Sequence, residues 1–293
     1  MSQAIVTSSY RGDFERCRLL CDSIDARVRG HTRHILAVES RDVSMFRVLE
    51  GPKREVVDER DLFPWWLRAF PDPTRLGKRR IWLTPVGLPL RGWHTQQLRR
   101  IMLGAKLEET ALITVDSDVV FLRDFETGNF EDEKGRVAFY RKPGGVRTAL
   151  AEYQKVHYDW SRKAGEFLGI PEPKVTDTGY IGTLIAWNTA SVRDMSARIE
   201  SVTGHSAIDA LARTRLISEC TIYGRFVDEI ENRPDRHYPV SFERCRMYWA
   251  GDAMTEPVLR RFIASLEAHH VAAGIQSFTG TDSALLRRVA GLN

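Results

Sequence analysis

The sequence has few cysteines, no strong excess of one charge and no long apolar run, and each shortage excludes a class of protein. Its four cysteines show no Cys-x-x-Cys spacing, which argues against a zinc ribbon or a disulfide framework. With 43 basic and 39 acidic side chains, the net charge of +4 is far below that of dedicated nucleic-acid-binding proteins. No apolar stretch approaches the roughly 18 residues of a membrane-spanning helix, and no basic leader precedes the first apolar segment. We therefore expect a cytoplasmic protein that binds no nucleic acid. This expectation is compatible with action on a lipid-linked substrate at the inner face of the membrane.

Short apolar segments alternate with amphipathic segments along the chain. Within the amphipathic segments, apolar residues recur every three or four positions, as on the buried face of a helix. Strands alternating with helices predict an α/β fold with a mostly parallel central sheet and a Rossmann-like first half. Nothing in the 293 residues looks like a flexible linker, so we expect one α/β/α domain. The predicted strands include residues 4–8, 34–39, 55–57, 111–115, 137–141, 180–188 and 271–278.

Residues 71–92 form the most irregular stretch, with four prolines around the basic cluster Lys78-Arg79-Arg80. Turn signals over this length predict either a long ordered excursion or a mobile lid. A lid would exclude water from a bound substrate. The basic cluster itself is expected to be solvated surface, because runs of charge are usually exposed faces.

Asp116-Ser117-Asp118 places two carboxylates one residue apart, directly after the apolar run Ala111–Val115. Such a run predicts a strand buried on both faces, and the carboxyl ends of parallel strands are where open α/β sheets bind ligands. Mg²⁺ and Mn²⁺ prefer oxygen ligands and bridge carboxylates to nucleotide phosphates. The alternative is a structural turn or an ion pair with Arg123.

Several motifs in combination resemble the GT-A nucleotide-sugar glycosyltransferases, and most closely a bacterial group of GT-A-like proteins. An N-terminal strand is followed about a hundred residues later by the acidic pair, and a glycine-containing strand then ends at Trp187-Asn188. The resemblance covers residues 4–230. It is carried by Ile5-Val6-Thr7-Ser8-Ser9-Tyr10, Gly92-Trp93 with Gln96-Gln97, Asp116-Ser117-Asp118-Val119-Val120-Phe121, Tyr180-Ile181-Gly182, and Ser218-Glu219 with Tyr223-Gly224.

The resemblance implies a nucleotide-binding half over residues 1–125 and an acceptor-binding half over residues 126–293. It makes Asp118 a direct ligand of Mn²⁺ or Mg²⁺, and makes Asp116 a partner of the ribose or of a metal-bound water. The donor would be a nucleoside-diphosphate sugar, with a UDP-sugar expected first, and the acceptor a glycan, a lipid-linked sugar or a small molecule. The nucleotide-sugar site would also include Thr7, Tyr10, Gln97, Arg100 and Ser117. Thr7 and Tyr10 would line the base pocket; the alternative is that they are an ordinary strand residue and a turn aromatic.

An inverting transfer needs a general base opposite the departing diphosphate, and a carboxylate serves this purpose. Glu219 follows the acidic pair by about the interval found in inverting members of the fold. The alternative is that Ser218 caps a helix and Glu219 is an acid of its first turn. Asp177 is the second candidate for the base.

A third metal ligand is usual in GT-A enzymes, and His269 and His270 are the candidates here, His270 first, with Asp252 as another possibility. Because His270 falls on an apolar face of a predicted helix, a hydrogen-bonded core histidine is the alternative. Tyr180 and Trp187 are candidates for stacking on the acceptor sugar, although most aromatic residues of such strands belong to the core.

Two other functions compete with glycosyl transfer. A nucleotidyltransferase also uses carboxylates and Mg²⁺ on an α/β sheet, but it usually has a glycine-rich phosphate loop after its first strand, which Ser8-Ser9-Tyr10-Arg11-Gly12 does not resemble. A catalytically inactive glycan-binding or scaffold protein would keep the fold and would not bind a nucleotide with a metal.

Overall fold

The computed structural model describes residues 2–77, 79–172 and 175–292. Its strands are β1 (Gln3–Ser8), β2 (Val28–Arg29), β3 (Arg33–Val38), β4 (Arg54–Asp58), β5 (Arg68–Pro71), β6 (Arg80–Leu83), β7 (Leu90–Arg91), β8 (Ala111–Val115), β9 (Val119–Phe121), β10 (Phe125–Glu126), β11 (Val137–Tyr140), β12 (Leu184–Asn188), β13 (His237–Val240), β14 (Cys245–Tyr248) and β15 (Ala272–Ile275). Its helices are α1 (Phe14–Arg27), α2 (Val43–Phe46), α3 (Gly92–Lys106), α4 (Ala151–Leu168), α5 (Thr189–Thr203), α6 (Ala207–Ala212), α7 (Glu219–Phe226), α8 (Glu256–Ala264) and α9 (Ser283–Val289).

A five-stranded sheet in the order β12-β8-β1-β3-β4 forms the centre of the molecule. Strands β8, β1, β3 and β4 are parallel, and β12 is antiparallel to β8. The predicted α/β class with a mostly parallel sheet is therefore confirmed. Because β1 and β8 are parallel neighbours, the segments that follow them emerge at the same edge of the sheet.

Both faces of this sheet are buried under helices. On one face Ile5 of β1 shares an apolar cluster with Leu20 and Ile24 of α1. On the other face Val6 shares a cluster with Leu98 of α3. Successive side chains of a strand point to opposite faces, so adjacent residues of β1 contribute to different cores. This burial explains why the strands read as continuous apolar runs.

A smaller sheet, β14-β15-β9, holds the C-terminal part of the chain against the acidic pair. Strand β15 is antiparallel to β9, and the Ile275 N–H donates to the Asp118 carbonyl over 3.1 Å. The predicted strand at 271–278 is thus confirmed in its centre. Helix α8 ends at Ala264, so the predicted placement of His270 on a helical face is wrong; His270 lies in the turn before β15.

The proline-rich stretch contains a three-stranded antiparallel sheet, β5-β6-β7, in place of an irregular loop. Two side chains of β6 fix it to the rest of the molecule. The Trp82 indole donates to Glu59 over 2.8 Å, and the Arg80 Nε donates to Glu39 over 2.8 Å. The described part of this stretch is therefore an ordered excursion. Lys78, in the predicted basic cluster, lies outside the described residues.

The four cysteines are free and buried, which agrees with the argument against a disulfide framework. Within the described part of the chain, none of the helices is both long enough and apolar enough to cross a bilayer.

Candidate functional site

Three aspartates meet where β1 and β8 end. Asp116 and Asp118 follow β8, and Asp13 follows β1 at the start of α1. Asp13 occupies the N-cap position of α1, but its side chain makes no capping hydrogen bond. It instead accepts a long hydrogen bond, 3.4 Å, from the Ser117 hydroxyl. Folding therefore adds a third carboxylate to the pair that the sequence reveals.

Of these carboxylates, Asp118 has the surroundings that disfavour its ionised form most strongly. Its Oδ1 is buried and has no hydrogen-bond partner. Burial, together with the negative charges of Asp116 and Asp13, raises the pKa of Asp118 to about 7. Burial also raises the pKa of Asp13, although hydrogen bonding by Ser277 opposes that shift. A buried carboxylate with like charges beside it and an unpaired oxygen is an arrangement that a bound cation would stabilise.

Arg100 of α3 joins Asp116 to Glu219. One of its terminal nitrogens contacts Asp116 Oδ1, and the other donates to Glu219 Oε1 over 2.7 Å. Burial acts to lower the pKa of Arg100, but the charges of Asp116 and Glu219 outweigh it and raise this pKa above its usual range. The Gln96 amide donates to the same Asp116 oxygen over 3.0 Å. Asp116 and Glu219, about a hundred residues apart in the sequence, are thus separated in space by one guanidinium group.

Glu219 is the first residue of α7, in agreement with the capping interpretation of Ser218-Glu219. The Ser218 hydroxyl accepts from the Thr221 N–H over 3.3 Å, which caps the helix. The Glu219 side chain is buried and directed at Arg100. Its backbone N–H donates to Gln97 Oε1 over 3.0 Å, while the Gln97 amide nitrogen is buried without a partner. Its role as a base stays a prediction.

Arg16 of α1 supplies a second buried cation near the aspartates. Its guanidinium donates to the Ile275 and Thr281 carbonyls over 2.7 Å each. Burial lowers its pKa, and the charges of Asp118 and Asp13 oppose that shift. Arg16 thus faces the cluster while its hydrogen bonds go to backbone carbonyls of the C-terminal segment.

Sequence reasoning missed Asp13, Arg16 and the contact made by Gln96. The available signal for Asp13 was its position just after the first strand, at the same edge of the sheet as the acidic pair. For Gln96 the signal was its place four residues before Arg100, which puts both side chains on neighbouring positions of one helical face. Arg16 gave no signal that distinguished it from a surface arginine.

The two predicted base-pocket residues have different surroundings. Thr7 is fully buried, and its hydroxyl lies 3.0 Å from His34 Nε2. Tyr10 is 52% exposed and its ring lies over Gly12, where an added Cβ would come within 2.5 Å of it. Burial and the charge of Asp13 raise the pKa of Tyr10. Tyr10 therefore lies beside the aspartates with an accessible ring, whereas Thr7 presents no surface there.

Asp177, the second candidate base, lies in a different environment. Its carboxylate pairs with Arg147 over 2.8 Å, and its carbonyl accepts from the Val146 N–H. Among the contacts of the described residues, none connects Asp177 with Arg100 or with the three aspartates. Its partners lie on the loop between β11 and α4.

The structure does not bring His270, the predicted third ligand, next to Asp118. Ile275 is the residue opposite Asp118, so the register puts His270 about five residues further along the paired strands, roughly 16 Å away. Its ligand-type neighbours are Glu267 and His269, whose donor atoms and its own all lie within 4.8 Å of one another. The antiparallel pairing of β15 with β9 carries the end of β15, and not its beginning, to Asp118.

The predicted acceptor residues Tyr180 and Trp187 are both buried. The Tyr180 hydroxyl donates to Asp228 over 2.7 Å, and the Trp187 ring stacks on Tyr223 with centroids 4.8 Å apart. Both rings line a crevice that is too narrow to hold a water molecule. A second crevice, lined partly by Arg244, has room for about one water molecule at most and also lies away from the aspartates. Sugar stacking by these two rings stays a prediction.

The site as a whole thus combines three aspartates, two buried arginines and one buried glutamate at the carboxyl edge of a parallel sheet. None of the curated proteins matches the sequence. A protein-family match spans residues 1–288, nearly the whole chain. The chain belongs to that family, which is described as a family of unknown function (DUF6492).

Proposed function

We propose that this protein is a glycosyltransferase that depends on a divalent metal and uses a nucleoside-diphosphate sugar. The observation that carries the proposal is the unpaired, buried Oδ1 of Asp118 within a group of three aspartates. Uncompensated buried charge is costly, and proteins retain it mainly where a bound cation or a reaction uses it. The carboxyl edge of a parallel sheet is also where nucleotides bind in open α/β folds.

The donor set fits Mn²⁺ or Mg²⁺. Asp118, Asp116 and Asp13 offer carboxylate oxygens, which hard divalent cations prefer, and no thiol or imidazole competes among the three. Within the described residues these carboxylates do not form a compact three-ligand group, so the site is not a preformed chelate. When bound, the ion would neutralise negative charge on the diphosphate leaving group.

The chain's own residues supply the remaining parts of the reaction. In an inverting transfer the acceptor oxygen bonds to the anomeric carbon, the bond from that carbon to the diphosphate breaks, and Glu219 takes the acceptor proton. Arg100 orients Glu219 and Asp116 together and places positive charge at the diphosphate side. The exposed ring of Tyr10 provides a stacking surface for the nucleotide base.

The decisive experiment is thermal stabilisation by nucleoside diphosphates with and without Mn²⁺. A ligand that binds only the folded state raises the melting temperature, so UDP with Mn²⁺ should raise it more than either alone. Asp118→Asn should lose the metal-dependent part of the shift. Asp124→Asn, an exposed aspartate six residues away, is the matched control and should retain it. A shift that ignores both the metal and Asp118→Asn would refute the proposed site.

Release of UDP from UDP-sugars then distinguishes the competing functions. Glu219→Gln should lower this turnover by about 100-fold or more, the usual size of a general-base contribution, and leave the nucleotide-induced shift in place. A nucleotidyltransferase would instead transfer the nucleotidyl group of a nucleoside triphosphate to a sugar phosphate and release pyrophosphate. A scaffold protein would show neither turnover nor metal-dependent nucleotide binding.

A further inference from the structure

Both faces of the sheet β5-β6-β7 carry apolar side chains. Cross-strand partners share a face, so Ala69, Trp82 and Leu90 point one way, toward the core. By the same register, Phe70 and Ile81 point the other way, and Leu83 follows them at the alternate position. Phe70 is 45% exposed and Leu83 is 41% exposed. Among the described residues this outer face has no covering element.

Three more large apolar side chains extend from the ends of this sheet. Trp65 precedes β5, Leu76 lies in the turn between β5 and β6, and Leu88 precedes β7. Their exposed fractions are 81%, 88% and 67%. Single exposed apolar residues are normal in proteins, but several on one small element mark an interaction surface.

The backbone conformation at residue 76 is also unfavourable for a leucine. Leu76 has φ +50° and adopts the left-handed conformation, which is uncommon for a residue other than glycine or asparagine. Neither local backbone preference nor burial therefore favours a leucine here. An apolar environment outside the protein, into which the Leu76 side chain inserts, would explain the leucine.

The chemistry of the segment indicates the kind of partner. Residues 64–91 contain six basic residues and one acidic residue, Asp72, which is occupied by the Thr74 N–H and hydroxyl. Arg75 and Arg79 are exposed near the Leu76 turn, and Arg91 is exposed on the outer face. Exposed tryptophan and leucine beside arginine are typical of surfaces that insert shallowly into a membrane and bind its anionic headgroups.

We propose that this surface, defined by Trp65, Phe70, Leu76, Leu83 and Leu88 with Arg75, Arg79 and Arg91, docks the protein onto an anionic lipid bilayer. A second copy of the chain is a poorer occupant, because a two-fold contact would bring two identical basic surfaces together. The proposal goes beyond the proposed function and does not depend on it. Strand β7 leads directly into α3, which carries Gln96 and Arg100, so docking would fix the orientation of the site relative to the membrane.

Co-sedimentation of the full chain with vesicles tests this directly. Vesicles of phosphatidylcholine with phosphatidylglycerol should bind the protein, those of phosphatidylcholine alone should bind it much less, and high salt should weaken the binding. Arg75→Gln with Arg79→Gln should weaken it about thirtyfold, since each arginine near an anionic surface contributes about a factor of five. Arg47→Gln with Arg261→Gln removes the same charge from exposed positions elsewhere and should leave it unchanged.

The apolar side chains of this surface are tested with separate variants. Leu76→Asn keeps a residue that tolerates the left-handed conformation, and Phe70→Thr with Leu83→Thr keeps residues suited to strands. Both should reduce vesicle binding without lowering the melting temperature, whereas Val48→Thr, at a 70% exposed position outside this sheet, should not reduce it. Equal binding by wild type and these variants would overturn the proposal. So would a concentration-dependent dimer in light scattering that the Phe70→Thr/Leu83→Thr variant abolishes, because that result assigns the face to a second copy.

Discussion

At the scale of single residues, the cost of burying charge distinguishes the aspartates from one another. Asp116 shares a buried guanidinium with Glu219 and accepts from Gln96, so its charge is compensated. Asp118 has an unpaired oxygen and two like-charged neighbours. Position along the chain does not distinguish them, since both follow the same strand, and only the resemblance assigned them different roles. The difference arises from which elements fold against them.

Asp118→Asn should stabilise the metal-free protein. The pKa of Asp118 is raised to about 7 in the folded state, above its unfolded value of 3.8. The folded state therefore binds a proton more readily, and stability falls as the pH rises from 3.8 toward about 7. Asparagine removes the ionised form, so we expect the free energy of unfolding at pH 7.5 to rise by about 1 kcal/mol or more.

Urea unfolding in the presence of a chelator measures this change. Asp124→Asn, an exposed aspartate, is again the control and should leave the midpoint in place. A lower midpoint for Asp118→Asn would show that the carboxylate is stabilised in the metal-free fold, which contradicts the assigned electrostatics.

At the scale of elements, α7 illustrates how a helix start becomes part of the site. A capped helix was one of two interpretations of Ser218-Glu219, and the capping hydrogen bond is present. Glu219 reaches Arg100 because α7 packs against α3 with its first turn beside Gln97. Local sequence predicts the cap, since the cap depends on neighbouring residues only. The ion pair depends on how two distant helices pack, which local patterns do not encode.

Gly224→Ala should disturb this packing. A Cβ at residue 224 would lie 2.2 Å from the Tyr180 ring, whose hydroxyl is fixed by Asp228. Alanine favours a helix by about 1 kcal/mol over glycine, but overpacking a rigid core typically costs about 1–3 kcal/mol. The severity of this overlap leads us to expect a net loss of about 1–2 kcal/mol in the free energy of unfolding.

Chemical denaturation compares this variant with a matched glycine. Gly92, the first residue of α3, has no atom within 4 Å of the position of an added Cβ. Gly92→Ala should therefore be neutral or slightly stabilising. If both variants were equally stable, the close contact between α7 and Tyr180 would be refuted.

Strand β3 contains a histidine that should make stability depend on pH. Burial and the nearby Arg54 charge hold the pKa of His34 well below its usual value. Arg54 Nε donates to its Nδ1 over 3.1 Å, so the other ring nitrogen carries the proton and donates to Thr7. The folded pKa is lowered, so this stability is fully present above the unfolded pKa of about 6.5 and is lost as the pH falls below it.

The expected slope is about 1.4 kcal/mol per pH unit below pH 6.5 for this one group. His34→Gln should remove this slope from the variant, so the difference in stability between wild type and variant should shrink by about 1.4 kcal/mol per pH unit as the pH falls below 6.5, whatever the variant's stability at pH 7. Buried His31, whose pKa burial and Lys53 lower to about 4, contributes the same sign over pH 6.5 to 4 and remains in both proteins. Parallel stability curves for His34→Gln and wild type would contradict a neutral buried His34.

At the scale of the whole molecule, the C-terminal segment is bound to the first half of the chain. Arg16 of α1 donates to two carbonyls beyond β14, and β15 pairs with β9 next to Asp118. The boundary near residue 125 that the resemblance implies is therefore not a boundary in packing. Contacts across it should couple the two halves in unfolding.

Thermal unfolding is expected to be a single transition. Calorimetric and van't Hoff enthalpies should agree, as they do for cooperative domains, since extensive contacts join the two halves. Scanning calorimetry of the full chain measures both quantities. Two resolved transitions, or a van't Hoff enthalpy well below the calorimetric one, would show two independent units.

The amino-acid sequence by itself determined the α/β class, the buried strand β8, the position of the acidic pair at its end, and the helix start at Ser218. These features follow from local periodicity, charge and capping. Tertiary structure alone decided that Asp13 joins the pair, that Arg100 links it to Glu219, and that His270 lies at the far end of the β9–β15 pairing. Register and helix packing set distances between residues far apart in the chain, and spacing along a sequence does not encode those distances.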